Sequence, residues 1–71
     1  MFTPRQQQVI DCLFEAMPNK LIGETLGCKP RTVKRHIGNI ARRLGFYGDK
    51  RFIMRVRIVY LLQHQVTDMI Q

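Results

Sequence analysis

Apolar residues recur along most of the chain at three- and four-residue steps, the period of a helix rather than a strand. Val9, Ile10, Leu13, Phe14 and Met17 form one stripe and predict a first helix over about residues 4–16. Its start is marked three times: Thr3 can cap it, Pro4 suits the first helical position, and Gln6 completes a capping box. Pro18 cannot continue it. Leu21, Ile22 and Leu26 predict a short second helix over about 20–26. Asn19 is its expected N-cap, and Gly27 closes it where a left-handed residue is needed. Gly23 in its middle costs roughly 1 kcal/mol against alanine, so a close approach of two helices is the expected compensation. Pro30 opens a third helix over about 30–44, with Val33, Ile37, Ile40, Ala41 and Leu44 inward and Gly45 at its end. Helices two and three follow each other with almost no loop, the helix-turn-helix arrangement.

A fourth helix runs from about residue 50 to at least 64, with Asp49 as its expected cap. Its pattern is two-faced. Phe52, Ile53, Val56, Val59 and Tyr60 cluster on one side, and Met54, Ile58, Leu61 and Leu62 on the other. Arg55 and Arg57 separate them. One apolar face can pack on the first three helices, while the second would meet water in a monomer. That implies an interface, and the face bearing Met54, Ile58, Leu61 and Leu62 is the candidate.

Size narrows the function. A chain of 71 residues is one small domain that buries only about 60% of its unfolded surface, too little for a deep enzyme cleft. The sequence holds no arrangement of nucleophile, base or metal ligands. Cys12 and Cys28 have no zinc or disulfide-scaffold spacing and read as reduced packing residues in a cytosolic protein. His36 and His64 lie on different helices and offer no metal site. No cofactor is expected. No apolar run reaches the roughly 18 residues of a membrane span, and the first residues do not form a signal peptide.

Charge changes the picture most. The net charge is +7. Residues 29–57 hold ten Lys or Arg against Asp49 alone, a net +9, while the segments before and after each carry −1. Clustered charge of one sign repels itself, and a polyanion relieves it. On a helical wheel for the third helix, Arg31, Arg35, Gly38, Asn39 and Arg42 fall opposite the apolar stripe. Lys34 flanks them on one side, with Thr32, His36 and Arg43 on the other. No acid occurs between Cys28 and Arg43, whereas solvated helices usually mix charges at four-residue spacing. A helix fits the DNA major groove, where donors reach phosphates and base edges.

Three motifs carry a resemblance. "FTPRQQQVI", "PNKLIGETLGCK" and "PRTVKRHIGNIARRLG" are similar, in order, to the successive motifs of the LuxR/GerE-type helix-turn-helix, the DNA-binding domain of many bacterial transcription regulators. The likeness covers about residues 2–62, leaving 63–71 as a C-terminal helical extension of one domain over 1–71. It implies an all-α, four-helix domain with helix three as recognition helix and helix four as dimerisation helix. By position, base reading falls to Lys34, Arg35, Gly38 and Asn39. Gly38 has no side chain, so Lys34, Arg35 and Asn39 carry what specificity there is. Phosphate contacts fall to Thr32, His36, Arg42 and Arg43, and to Asn19 and Lys20 at the start of helix two. Lys29 replaces the usual capping residue and joins the phosphate set with Arg31.

The expectation is therefore a non-enzymatic, sequence-specific regulator acting as a homodimer on double-stranded DNA in the bacterial cytoplasm, nucleoid-associated and away from any membrane. It is expected to stand alone, without receiver or sensor domain, or else to be a fragment of a larger regulator. The alternative is a small adaptor or sigma-region-like module that works through protein contacts, with RNA polymerase as partner. RNA binding or general nucleoid coating fits the charge but not the aromatics, which read as core and turn residues rather than a stacking platform.

Overall fold

The computed structural model describes residues 2–46, 48 and 50–70, with side chains described except at 51, 52 and 65–70. It contains four helices: α1 Pro4–Phe14, α2 Asn19–Leu26, α3 Pro30–Leu44 and α4 Arg51–Ile70. The expected capping box opens α1. The Gln6 backbone N–H donates to Thr3 Oγ1 at 3.1 Å, and the Thr3 N–H donates to Gln6 Oε1 at 3.0 Å. Gly27 and Gly45 end α2 and α3 in the left-handed region, with φ of 73° and 92°. The expected cap at Asp49 lies outside the described residues.

The core forms where the four apolar stripes meet. Val9, Ile10, Cys12 and Leu13 come from α1, Ile22 from α2, Val33, Ile37, Ile40 and Ala41 from α3, and Met54 and Ile58 from α4. Both cysteines are free thiols that pack here, Cys12 inside the core and Cys28 at its edge. Helix α3 packs against all three others, so its rotation is fixed from several directions.

Three local expectations change. Helix α1 stops at Phe14, two residues early, and the chain turns through Ala16 at φ 58°. The N-cap of α2 is Pro18, without a side-chain hydrogen bond, and Asn19 is the first helical residue. The close approach at Gly23 is made by backbone rather than by a second helix. A Cβ there would lie 2.5 Å from the Cys28 carbonyl oxygen, where the turn folds back and the Cys28 N–H donates to the Gly23 oxygen at 2.9 Å.

The larger correction concerns α4, whose two faces are reversed relative to the candidate interface. Met54 is 8% exposed and Ile58 is fully buried, both in the monomer core. Leu62 is half-buried against that core, and Leu61 alone of the four is exposed. The side turned to water carries Val56 and Tyr60, 60% and 58% exposed. Both faces are apolar, so the wheel cannot rank them. Shape decides: Met54 and Ile58, one turn apart, fill the space against α1 and α3, and residues two positions on from each point about 200° away.

These geometries set opposite expectations for two substitutions. Gly23→Ala gains helix propensity of about 1 kcal/mol but forces a methyl against backbone, at roughly 1–3 kcal/mol. The clash wins, and thermal unfolding should show a net loss. Ala16→Gly relieves a left-handed alanine and should stabilise by up to about 1 kcal/mol. A higher melting temperature for Gly23→Ala than for the wild type would contradict the turn geometry.

Candidate nucleic-acid interface

The inward stripe of α3 turns its charged side outward. Arg31, Lys34, Arg35, Asn39, Arg42 and Arg43 are exposed, and Thr32 and His36 are half-buried at the edge of the helix. At 15 residues, α3 is about 22 Å long. Arg42 and Arg43 occupy its last turn, where the helix dipole favours cations. Burial of the stripe outweighs repulsion on the other side. Each fully buried Val or Ile contributes about 1.5–3 kcal/mol, against a few tenths for each like-charge neighbour.

Gly38 departs from its expected place. The wheel sets it among the outward residues, but it is buried. A mid-helix glycine can expose only backbone. Asn19 is half-buried, and its Oδ1 accepts a hydrogen bond from Arg55 at 2.5 Å. Lys20 and Lys29 are exposed and line one shallow groove between α2 and the turn, together with Gly23, Glu24, Gly27, Cys28 and Pro30. The fold thus brings the start of α2 and the start of α3 to one groove. Neither helix start is capped by a side chain, but at α3 Pro30 has no N–H and the Thr32 N–H already donates to the Lys29 carbonyl oxygen at 2.9 Å.

Two arginines outside the expected set shape this surface. Arg5 on α1 donates to the Leu26 carbonyl oxygen at 3.1 Å, at the C-terminal end of α2. It also reaches His36 electrostatically. The His36 pKa is lowered first by burial, then by the charges of Arg35 and Arg5. Arg55 on α4 donates to the Met17 carbonyl oxygen at 2.6 Å as well as to Asn19. Arg57 lies 6.0 Å from the centroid of the Phe46 ring, within cation–π range. So the basic block divides: part of it faces outward on α3, while Arg55 and Arg57 tie α4 to the rest of the fold. No local signal marks Arg5 or Arg55, because their partners lie 21 to 38 residues away in sequence.

Among the described residues no group of three or more His, Cys, Asp or Glu side chains could hold a metal ion. No described helix is long and apolar enough to cross a membrane. The family model for bacterial regulatory proteins, luxR family, matches residues 1–56. No curated protein and no solved structure matches the chain significantly.

Proton binding at His36 gives a test of the local electrostatics. Its folded pKa lies below the ordinary histidine value of 6.5, so the unfolded chain binds more protons in the window between the two values. Stability therefore falls as pH drops through about 6.5 and levels off below the folded pKa. The melting temperature of His36→Gln should lose that part of the acid dependence. Parallel pH profiles for wild type and His36→Gln would mean that neither its burial nor the neighbouring Arg35 and Arg5 charges lower the His36 pKa.

Proposed function

Because the chain belongs to the luxR family of bacterial regulatory proteins, we propose that it is a sequence-specific DNA-binding transcription regulator that places α3 in the major groove of double-stranded DNA. One observation carries the reading: a helix held on one side by the core presents Arg31, Lys34, Arg35, Asn39, Arg42 and Arg43 on the other. Arg35 can give two hydrogen bonds to guanine N7 and O6, and Asn39 can pair with adenine. Lys34 reads beside them. Gly38, buried and without a side chain, lets the neighbouring side chains approach the bases and reads nothing itself. Arg42, Arg43, Arg31, Thr32 and His36 clamp phosphates along the groove edges. Lys20, Lys29 and Asn19 do so at the start of α2 and in the turn.

The protein acts as a homodimer on two-fold related half-sites, joined through the outward face of α4. Val56 and Tyr60 support this, as large apolar residues more than half exposed beside half-buried Ile53 and Val59. That face replaces the one centred on Met54 and Ile58. It also favours a second reading, a protein partner such as RNA polymerase seated on α4.

Selection from a random duplex library tests the first reading. A two-fold symmetric motif is expected in the bound pool, with affinity falling at a slope of about 0.9 per phosphate neutralised as salt rises. Arg35→Ala should relax one base position by about 1–3 kcal/mol, while Arg42→Ala and Arg43→Ala weaken all sequences alike. Bound DNA without enrichment would reduce the function to charge-driven coating.

Size measurements test the dimer. Val56→Glu and Tyr60→Glu should leave a folded monomer. Ile58→Glu should unfold the chain, since it buries an unpaired charge. A folded Ile58→Glu monomer, or an unchanged Tyr60→Glu dimer, would reinstate the opposite face.

A further inference from the structure

Arg55 leaves α4 toward the corner between α1 and α2. Its guanidinium is a fork closed on two oxygens: Nη1 donates to the Met17 carbonyl and Nη2 to Asn19 Oδ1. Both acceptors are neutral. The side chain is half-buried, and burial lowers its pKa. A cation held partly out of water against neutral oxygens is a demanding arrangement, and it sits at a particular place. Met17 follows the left-handed residue Ala16, and Asn19 is the first residue of α2. That helix start has no side-chain cap of its own. The orientation of the corner is thus set from another helix.

The bridge also orients an amide. Arginine only donates, so the Asn19 atom facing it is the oxygen. The amino end of the amide points away from the guanidinium, with its two donors uncommitted to this bridge. Lys20, beside it, is exposed.

We propose that Arg55 is a positioning residue for DNA binding: its bridge from α4 holds the Asn19 amide and the first turn of α2 in the orientation that meets a phosphate. The inference rests on the DNA-binding reading and adds a residue that touches no DNA. It gives α4 a part in binding apart from dimerisation, through a side chain on the flank between its two apolar faces.

A double-mutant cycle on the full chain tests it, with a short fluorescent duplex of mixed sequence as probe. Arg55→Lys keeps the charge and most of the stem but cannot reproduce the fork. It should weaken binding about tenfold in the wild-type background and have almost no further effect beside Asn19→Ala, since contacting residues couple. The salt slope should stay unchanged, because a neutral amide releases no counterion. Equal losses in both backgrounds, or no loss in either, overturn the proposal. A slope reduced by about one unit also overturns it, by making Arg55 itself a phosphate contact. Wild-type protein that retains no duplex brings down the DNA-binding reading and this proposal together; normal wild-type binding with an uncoupled cycle brings down this proposal alone. Should Arg55→Lys melt early, the side-chain amide resonances of Asn19 in the wild type decide: they should shift on adding duplex, and a pair that stays fixed rejects the role.

Discussion

The structure depends on the burial of one stripe. Val33, Ile37, Ile40 and Ala41 of α3 are inaccessible or nearly so, and they meet residues from α1, α2 and α4 in a single cluster. Each of the other helices touches α3. Fixing that stripe fixes the rotation of α3 about its axis, and with it the direction of every basic side chain on the opposite side. The basic surface is therefore a consequence of packing. Exposed like charges repel weakly in water, and the hydrophobic contacts beneath them are several times stronger per residue.

Around α3 the chain makes its turns with very different means. At Gly27 and Gly45 glycine takes the left-handed conformation without steric cost. At Gly23 the missing side chain serves another end, since the turn between α2 and α3 comes to within van der Waals contact of its backbone. That tight return keeps α2 and α3 at a fixed relation and sets Lys20 and Lys29 on one groove. The corner between α1 and α2 uses neither device. An alanine holds the left-handed turn, and Arg55 secures it from α4.

Helix α4 shows how little periodicity says when both sides of a helix are apolar. Met54 and Ile58 share one side, and Val56 and Tyr60 another. Hydrophobicity gives no reason to prefer either for the core. The selection comes from contacts that no local pattern contains: the space left by α1 and α3, and the reach of Arg55 to Met17 and Asn19. The same contacts divide the basic block into charges that face outward and charges that hold the fold together.

The sequence by itself determined the four helices, their order, the capping box at Thr3 and Gln6, the inward stripe of α3 and the outward row from Arg31 to Arg43. Each of these follows from residues within a turn or two of one another, so local sterics and period suffice. Only the tertiary structure decided which face of α4 is buried, why Gly23 has no side chain, that Gly38 is covered, and what Arg5 and Arg55 hold. Arg5 and Arg55 reach partners more than twenty positions away, α4 offers two equally apolar faces, and Gly23 meets the Cys28 backbone only once the turn has folded back. These outcomes are settled by shape and by hydrogen-bond reach in the folded chain, where neither the wheel nor the charge pattern has any purchase.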